Sequence, residues 1–191
     1  MKTVSLSGSL REGVGKKDAK GIRYQGKVPC VLYGGKEQVH FTTDATSFKA
    51  ILFTPETFVI EIDINNKKHL AILKDIQYHP VSDEVLHADF YEVSNDKPVV
   101  VSIPVKLTGT SPGVIRGGKL KLKFNKLKLK GLISDIPDYI NIDVSKMNIG
   151  QNIKVKDLEF ENLRFLDMPS AVITDVRTAR GVVAADEIVA D

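Results

Sequence analysis

The chain of 191 residues has no tryptophan and one cysteine, Cys30. A single thiol cannot close a disulfide within the chain, so the fold must rest on core packing, and a reducing compartment fits. Long apolar runs are also missing, and nothing approaches the roughly 20 residues of a membrane-spanning helix. The opening MKTVSLSGSL has one lysine and no apolar stretch of the kind a secretory leader needs. A soluble, cytoplasmic protein is expected. Short repeats and low-complexity segments are absent.

Several catalytic signatures are missing as well. Gly15-Lys16 is followed by Lys17, and Leu10 stands where a phosphate loop needs its first glycine. The four histidines, His40, His69, His79 and His87, are scattered, with no cysteine cluster and no H-E-x-x-H. His87 and Asp89 share one face if their segment is a strand, yet a metal site needs more ligands than this pair. No enzyme, metal or cofactor is expected. Cys30 lies in the apolar run VPCVLY and is expected to behave as a small buried hydrophobe.

Acidic residues are missing from the whole of 97–130, where nine Lys/Arg stand alone. The formal net charge of +3 hides this block structure. Residues 1–36 carry eight Lys/Arg against two acids, and 37–96 carry four against eleven. Residues 131–191 carry six against eleven. Two basic blocks, each followed by an acidic one, suggest two units with a positive region apiece. Local positive charge of this kind favours a polyanionic partner, most often nucleic acid. Lysines that merely solvate strand faces would give the second block the same composition.

Hydrophobic periodicity is mainly that of β-structure. Val4, Leu6, Gly8 and Leu10 alternate with Ser5, Ser7 and Ser9, the pattern of a half-buried strand. KVPCVLYGG is a strand ending in a turn. In FVIEIDINNKKHLAIL, Phe58, Ile60, Ile62 and Ile64 line one face, Asn65-Asn66 permits a tight turn, and Leu70 and Ile72 resume the apolar series. TDATSFKAILF has helical spacing at Phe48, Ile51 and Leu52, with Thr43 or Asp44 as cap. SNDKP, 94–98, is the linker candidate. Beyond it PVVVSIPVKL is a strand and TGTSPGVIRGG a glycine-rich loop. KLKLKFNKLKLKGLI alternates lysine with apolar residues until the phase slips at Asn125-Lys126, which requires a turn or bulge. DYINIDV and SAVITDV are further strands. The expected domains are 1–95, 96–180 and a mobile acidic tail, 181–191.

The stretch GKKDAKGIRYQGKVPCVLYGG concentrates cations and glycines that no core needs. If KKDAKGIR is helical, Lys16, Lys20 and Arg23 fall within roughly 60° of one another at 100° per residue. They form a cationic ridge near Tyr33 and the Gly34-Gly35 turn, suited to phosphates and to a stacked or hydrogen-bonded sugar or base. A solvated helix face would look similar. Gly21 weakens that helix by about 1 kcal/mol relative to alanine.

These residues resemble a known family. Arg11, GKKDAKGIRYQGKVPCVLYGGKE and DIQYHPVSDEVLHADF are similar to the N-terminal domain of bacterial ribosomal protein L25. GVIRGGKL and IPDYINIDVSKMNIGQNIKVKDLEF are similar to the C-terminal domain of its longer form, the general stress protein CTC type, so the resemblance spans about residues 2–178. It implies a mainly β protein with a few short helices: an N-terminal six-stranded β-barrel related to the anticodon-binding barrels of glutaminyl-tRNA synthetase, then a second, mainly β domain. It implies binding of 5S rRNA in the large ribosomal subunit, at an internal loop of non-standard pairs with a widened minor groove. The RNA-facing residues would be Arg11, Lys16, Lys20 and Arg23 toward phosphates, Tyr33 and Gln77 toward sugars or base edges, and His87 at the RNA or holding the face. Asp89 would orient a neighbour. Where the family often has A-R-R-L-R, this chain has Ala19-Lys20-Gly21-Ile22-Arg23, a thinner run that lacks arginine's planar fork at two positions. The free protein is expected to be a monomer. The second domain's partner stays open among 23S rRNA, a neighbouring ribosomal protein and water. A stress-associated protein only conditionally attached to the ribosome is the alternative, and the same residues would serve it.

Overall fold

The computed structural model describes residues 1–178 apart from positions 36, 53, 95, 96, 159 and 161. The expected acidic tail lies outside the described residues. The chain divides into two compact units, Met1–Lys97 and one that begins at Pro98.

The first unit contains β1 (Lys2–Leu10), α1 (Lys16–Tyr24), β2 (Lys27–Tyr33), β3 (Val39–Asp44), β4 (Phe58–Ile64), β5 (Lys67–Tyr78) and β6 (Val85–Glu92). The six strands form a closed barrel in the order β1-β3-β2-β6-β5-β4. Closure comes from a parallel pairing of β1 with β4, running from Lys2 opposite Phe58 to Gly8 opposite Ile64. Closing the sheet leaves no edge strand to template aggregation.

Alternation explains the interior. Val28, Cys30 and Leu32 of β2, Ile60, Ile62 and Ile64 of β4, and Ala88 and Phe90 of β6 all point inward and are buried. Phe41, Phe48 and Phe90 fill the centre, with ring centroids 5.7 and 6.4 Å from Phe90. Each such side chain contributes about 1.5–3 kcal/mol by leaving water. Gly8 is required by this packing, because a Cβ there would lie 2.6 Å from the Phe41 ring.

The hairpin turn is made by Asn65 and Asn66, both left-handed at φ 51° and 63°, as a two-residue turn between strands demands. It pairs Ile64 with Lys67, so Leu70 and Ile72 fall opposite Glu61 and Val59, facing away from the barrel interior, with Leu70 exposed and Ile72 nonetheless buried. Ala71, opposite Ile60, is the residue that enters the core. The expected helix around Phe48 is a short 3₁₀ segment, Ala45–Ala50, with Asp44 at its start but no side-chain cap bond. Phe48, Ile51 and Leu52 are buried as their spacing suggested.

The second unit contains β7 (Val99–Thr108), α2 (Pro112–Ile115), β8 (Gly118–Leu122), β9 (Lys126–Gly131), β10 (Ile140–Asp143), β11 (Asn152–Lys154), β12 (Arg164–Phe165) and β13 (Val172–Thr178). One sheet has the order β10-β7-β9-β12 and the other β11-β13-β8. Ile103, Leu127, Leu129, Ile140 and Ile173 are fully buried. The stretch expected to be all loop holds the one-turn helix α2, started by Ser111 and by Pro112 in the first turn, where proline's fixed φ suits a helix. The phase slip at Asn125-Lys126 is where the chain leaves one sheet and joins the other: β8 pairs with β13, while β9 pairs with β7 and β12.

Candidate nucleic-acid interface

Helix α1 buries none of its residues, so its hold on the barrel must come from something other than core packing. Two cations supply it. Arg11 Nε donates to Asp18 Oδ2 at 2.8 Å, tying the helix's first turn to the end of β1. Arg23 Nε donates to the carbonyl of Leu86 on β6 at 2.9 Å. Asp18 in the first turn and Arg23 in the last also complement the helix dipole.

The tethers decide which cations are free. Arg11's side chain is only 7% exposed, and its charge is met by Asp18. It is therefore placed as a strut, not as an open phosphate ligand. Lys16, Lys20 and Arg23 are exposed, while Ala19 and Ile22 are the half-buried positions of the helix. The cations thus occupy the outward arc. Lys20 Nζ sits 5.7 Å from the centroid of the Tyr24 ring, and that tyrosine is 80% exposed.

The sheet beside the helix supplies the polar groups. β6 pairs with β2 in parallel and with β5 antiparallel, and its even positions Ala88 and Phe90 face inward. His87, Asp89 and Tyr91 therefore face outward. Gln77 lies directly opposite His87, and Tyr33 opposite Tyr91. The Tyr33 and Tyr91 rings meet edge to face at 5.8 Å and 78°, a favourable aromatic geometry that fixes both planes. His87 Nδ1 is 2.8 Å from Asp89 Oδ1. With that nitrogen committed to a carboxylate, Nε2 is the one available to a ligand.

Partial burial, and then the carboxylates of Asp89 and Asp75, push the Tyr33 phenol above its ordinary value. It stays protonated near neutral pH and can donate to a sugar hydroxyl or a phosphate.

Gln77, His87 and Tyr33 thus lie on one outer face formed by three neighbouring strands. Arg23 is bonded to the residue preceding His87, and Lys16 and Lys20 continue the positive surface along α1. Arg11 alone turns inward. Tyr24 and Tyr91 belong to this surface and escaped the sequence reading. Tyr24 was detectable as the fourth residue after Lys20, which puts the two side by side on a helix. Tyr91 depends on the register between β2 and β6, which carries no local signal.

Among the described residues, no group of three His, Cys, Asp or Glu side chains is arranged to hold a metal ion. No described helix is long and apolar enough to cross a membrane.

Comparison with known proteins gives two matches along the chain. Residues 6–90 match the model of the Ribosomal L25p family, and residues 98–180 match that of the ribosomal protein TL5 C-terminal domain. The chain belongs to the Ribosomal L25p family. Its relatives agree over nearly their full length. The large ribosomal subunit protein bL25 of Porphyromonas gingivalis is 44% identical over 182 residues, covering 94% of this chain and 95% of the relative. The protein of the same name from Bacteroides thetaiotaomicron is 42% identical over 193 residues, 97% and 98% of the two chains. That of Christiangramia forsetii is 40% identical over 189 residues, 98% and 86%. The closed six-stranded barrel followed by a mainly β second unit is the architecture that the resemblance to this family implied.

Proposed function

We propose that this chain is a structural component of the large ribosomal subunit, in the cytoplasm, and that the outer face of its barrel grips 5S rRNA. The observation that carries the reading is the convergence of Gln77, His87 and Tyr33 on one surface, flanked by the exposed cations of α1. The family membership and the relatives' shared name support the ribosomal setting.

The division of labour follows from the chemistry of each group. Lys16, Lys20 and Arg23 neutralise phosphates, a contact that sets affinity and its salt dependence. Arg23 spends Nε on Leu86 and keeps its terminal nitrogens for the ligand. Gln77 offers both donor and acceptor, Tyr33 a hydroxyl, and His87 its Nε2. Such groups suit the 2′-hydroxyls and base edges of a widened, shallow minor groove. Arg11 positions α1 through Asp18. Recognition of this kind involves no catalytic step.

The reading is tested by Lys20→Glu combined with Arg23→Glu in a mobility-shift titration with 5S rRNA at moderate salt. The pair of reversals should weaken binding by about tenfold or more. Equal binding by wild type and variant would remove the ridge from the interface.

A further inference from the structure

Outside the barrel, the strongest run of one charge sign lies on the four-stranded sheet of the second unit. β9 alternates strictly: Leu127 and Leu129 are fully buried, and Lys126, Lys128 and Lys130 are exposed on the opposite face. Cross-strand register builds that face outward. β7 places Val100 opposite Lys130, Ser102 opposite Lys128 and Pro104 opposite Lys126. On the other side β12 places Arg164 opposite Lys130. Along β7 the same face continues to Lys106, whose Nζ stands 3.3 Å from the centroid of the Tyr139 ring and whose register partner on β10 is Asn141.

The two lysine strands of this unit differ in one respect. Just past the end of β8, Lys123 shares the carboxylate of Asp175 with Arg177, at 3.1 and 2.9 Å. That carboxylate is built into the neighbouring strand, so the β8 surface is partly neutralised from within. On β9 the neighbouring carboxylate, Asp167, accepts from the Lys128 backbone N–H at 2.7 Å. Among the described residues, no carboxylate forms an ion pair with Lys126, Lys128, Lys130 or Arg164. The acid among the paired positions of this face is Asp143 at the far end of β10, which accepts from the Ser145 backbone at 2.8 Å.

We infer that the outer face of β9 and β12 is a docking surface for the phosphate backbone of an RNA segment other than the one the barrel grips. Three features select that occupant. Residues two apart on a strand advance about 6.6–6.8 Å, comparable to the interval between consecutive phosphates, so one strand can follow one backbone. On this face the cations outnumber the exposed apolar side chains, which are two separate aliphatic residues, Val100 at 37% and Leu166 at 47%, whereas the cores of protein interfaces are depleted in lysine and built on clustered aromatic or aliphatic anchors. The ring beside this face, Tyr139, is half-buried and covered by Lys106, so the β9 lysines are suited to backbone charge and not to base identity. RNA as the polyanion rests on the ribosomal reading above. The face itself rests on the register and burial of β9.

The test uses large subunits isolated from cells that make this chain, treated with an amine-acetylating reagent before and after ribonuclease digestion. Lys126, Lys128 and Lys130 are expected to lose reactivity in the subunit relative to the free protein and to regain it after digestion. Reactivity equal to that of the free chain, or protection that survives digestion and so reports a protein neighbour, overturns the inference. Lys20 in the same samples reports on the barrel separately, so either surface can fail alone. A second measurement uses full-length protein and a fully paired RNA duplex. Replacing the three lysines together, Lys126→Gln, Lys128→Gln and Lys130→Gln, should reduce the magnitude of the slope of log affinity against log salt by about 2.7. An unchanged slope contradicts the assignment.

Discussion

Replacing Gly21 with alanine probes whether α1 takes part in the proposed binding. The site is permissive: a Cβ there would meet nothing within 4 Å. The helix buries no residue, so tertiary packing does little to mask intrinsic propensity, and the change should count almost in full. Alanine is favoured over glycine in a helix interior by about 0.8–1.0 kcal/mol, or about fivefold in the balance between formed and frayed helix. Gly21 also lies about 100° round the helix from Lys20, at the edge of the cationic arc. If the helix must be formed to bind, apparent affinity follows the formed fraction. The gain then lies between none, for a helix already formed in the free protein, and about fivefold, for one mostly frayed. Hydrogen exchange read by mass spectrometry should show the α1 amides slowed by up to about fivefold, with the barrel strands unchanged. A parallel titration with 5S rRNA should show equal or tighter binding. Binding weakened by more than about twofold would refute the reasoning, because it would mean that the bare backbone at Gly21 is itself a contact.

Two further expectations concern the scaffold. Gly34 has φ +98°, and a Cβ there would lie 2.6 Å from the Tyr91 ring, so Gly34→Ala should cost about 1–3 kcal/mol, read as a lower urea midpoint at unchanged m. It should also disturb the Tyr33–Tyr91 contact and weaken RNA binding. Burial pushes the Asp175 carboxyl up, but hydrogen bonds from Arg177 and Lys123 outweigh that and hold it below its ordinary value. A lowered folded-state value means that the stabilisation is present above the ordinary carboxylate range and is lost as pH falls through the lowered one. Wild-type protein should therefore lose stability below about pH 4, and Asp175→Asn should lack that component of the loss in urea titrations across the same range.

Local features of this chain are written in local pattern. The alternation of β4, the Asn65-Asn66 turn and the cationic arc of α1 each need only neighbouring residues, and each is visible in the sequence. Barrel closure is different. The parallel pairings of β1 with β4 and β2 with β6 join segments more than fifty residues apart, and period-two alternation names a strand's faces without naming its partners. The six-stranded barrel was legible only through resemblance to a family. The same limit explains Arg11. As a cation beside other cations it matches a phosphate ligand, but the loop between β1 and α1 folds it onto Asp18, seven residues on. It also explains β8 and β9, where the slip in phase was evident but the change of sheet was not.

The central claim, that the barrel's outer face reads the shape of a folded RNA, is tested most directly by equilibrium titration of the full-length chain against two transcripts. One is 5S rRNA, and the other is the same molecule with its internal loop of non-standard pairs replaced by Watson–Crick pairs. At moderate salt the natural transcript should bind at least about tenfold tighter, a difference of about 1.4 kcal/mol. Equal affinity for both transcripts, or no binding of either by correctly folded protein, would contradict it.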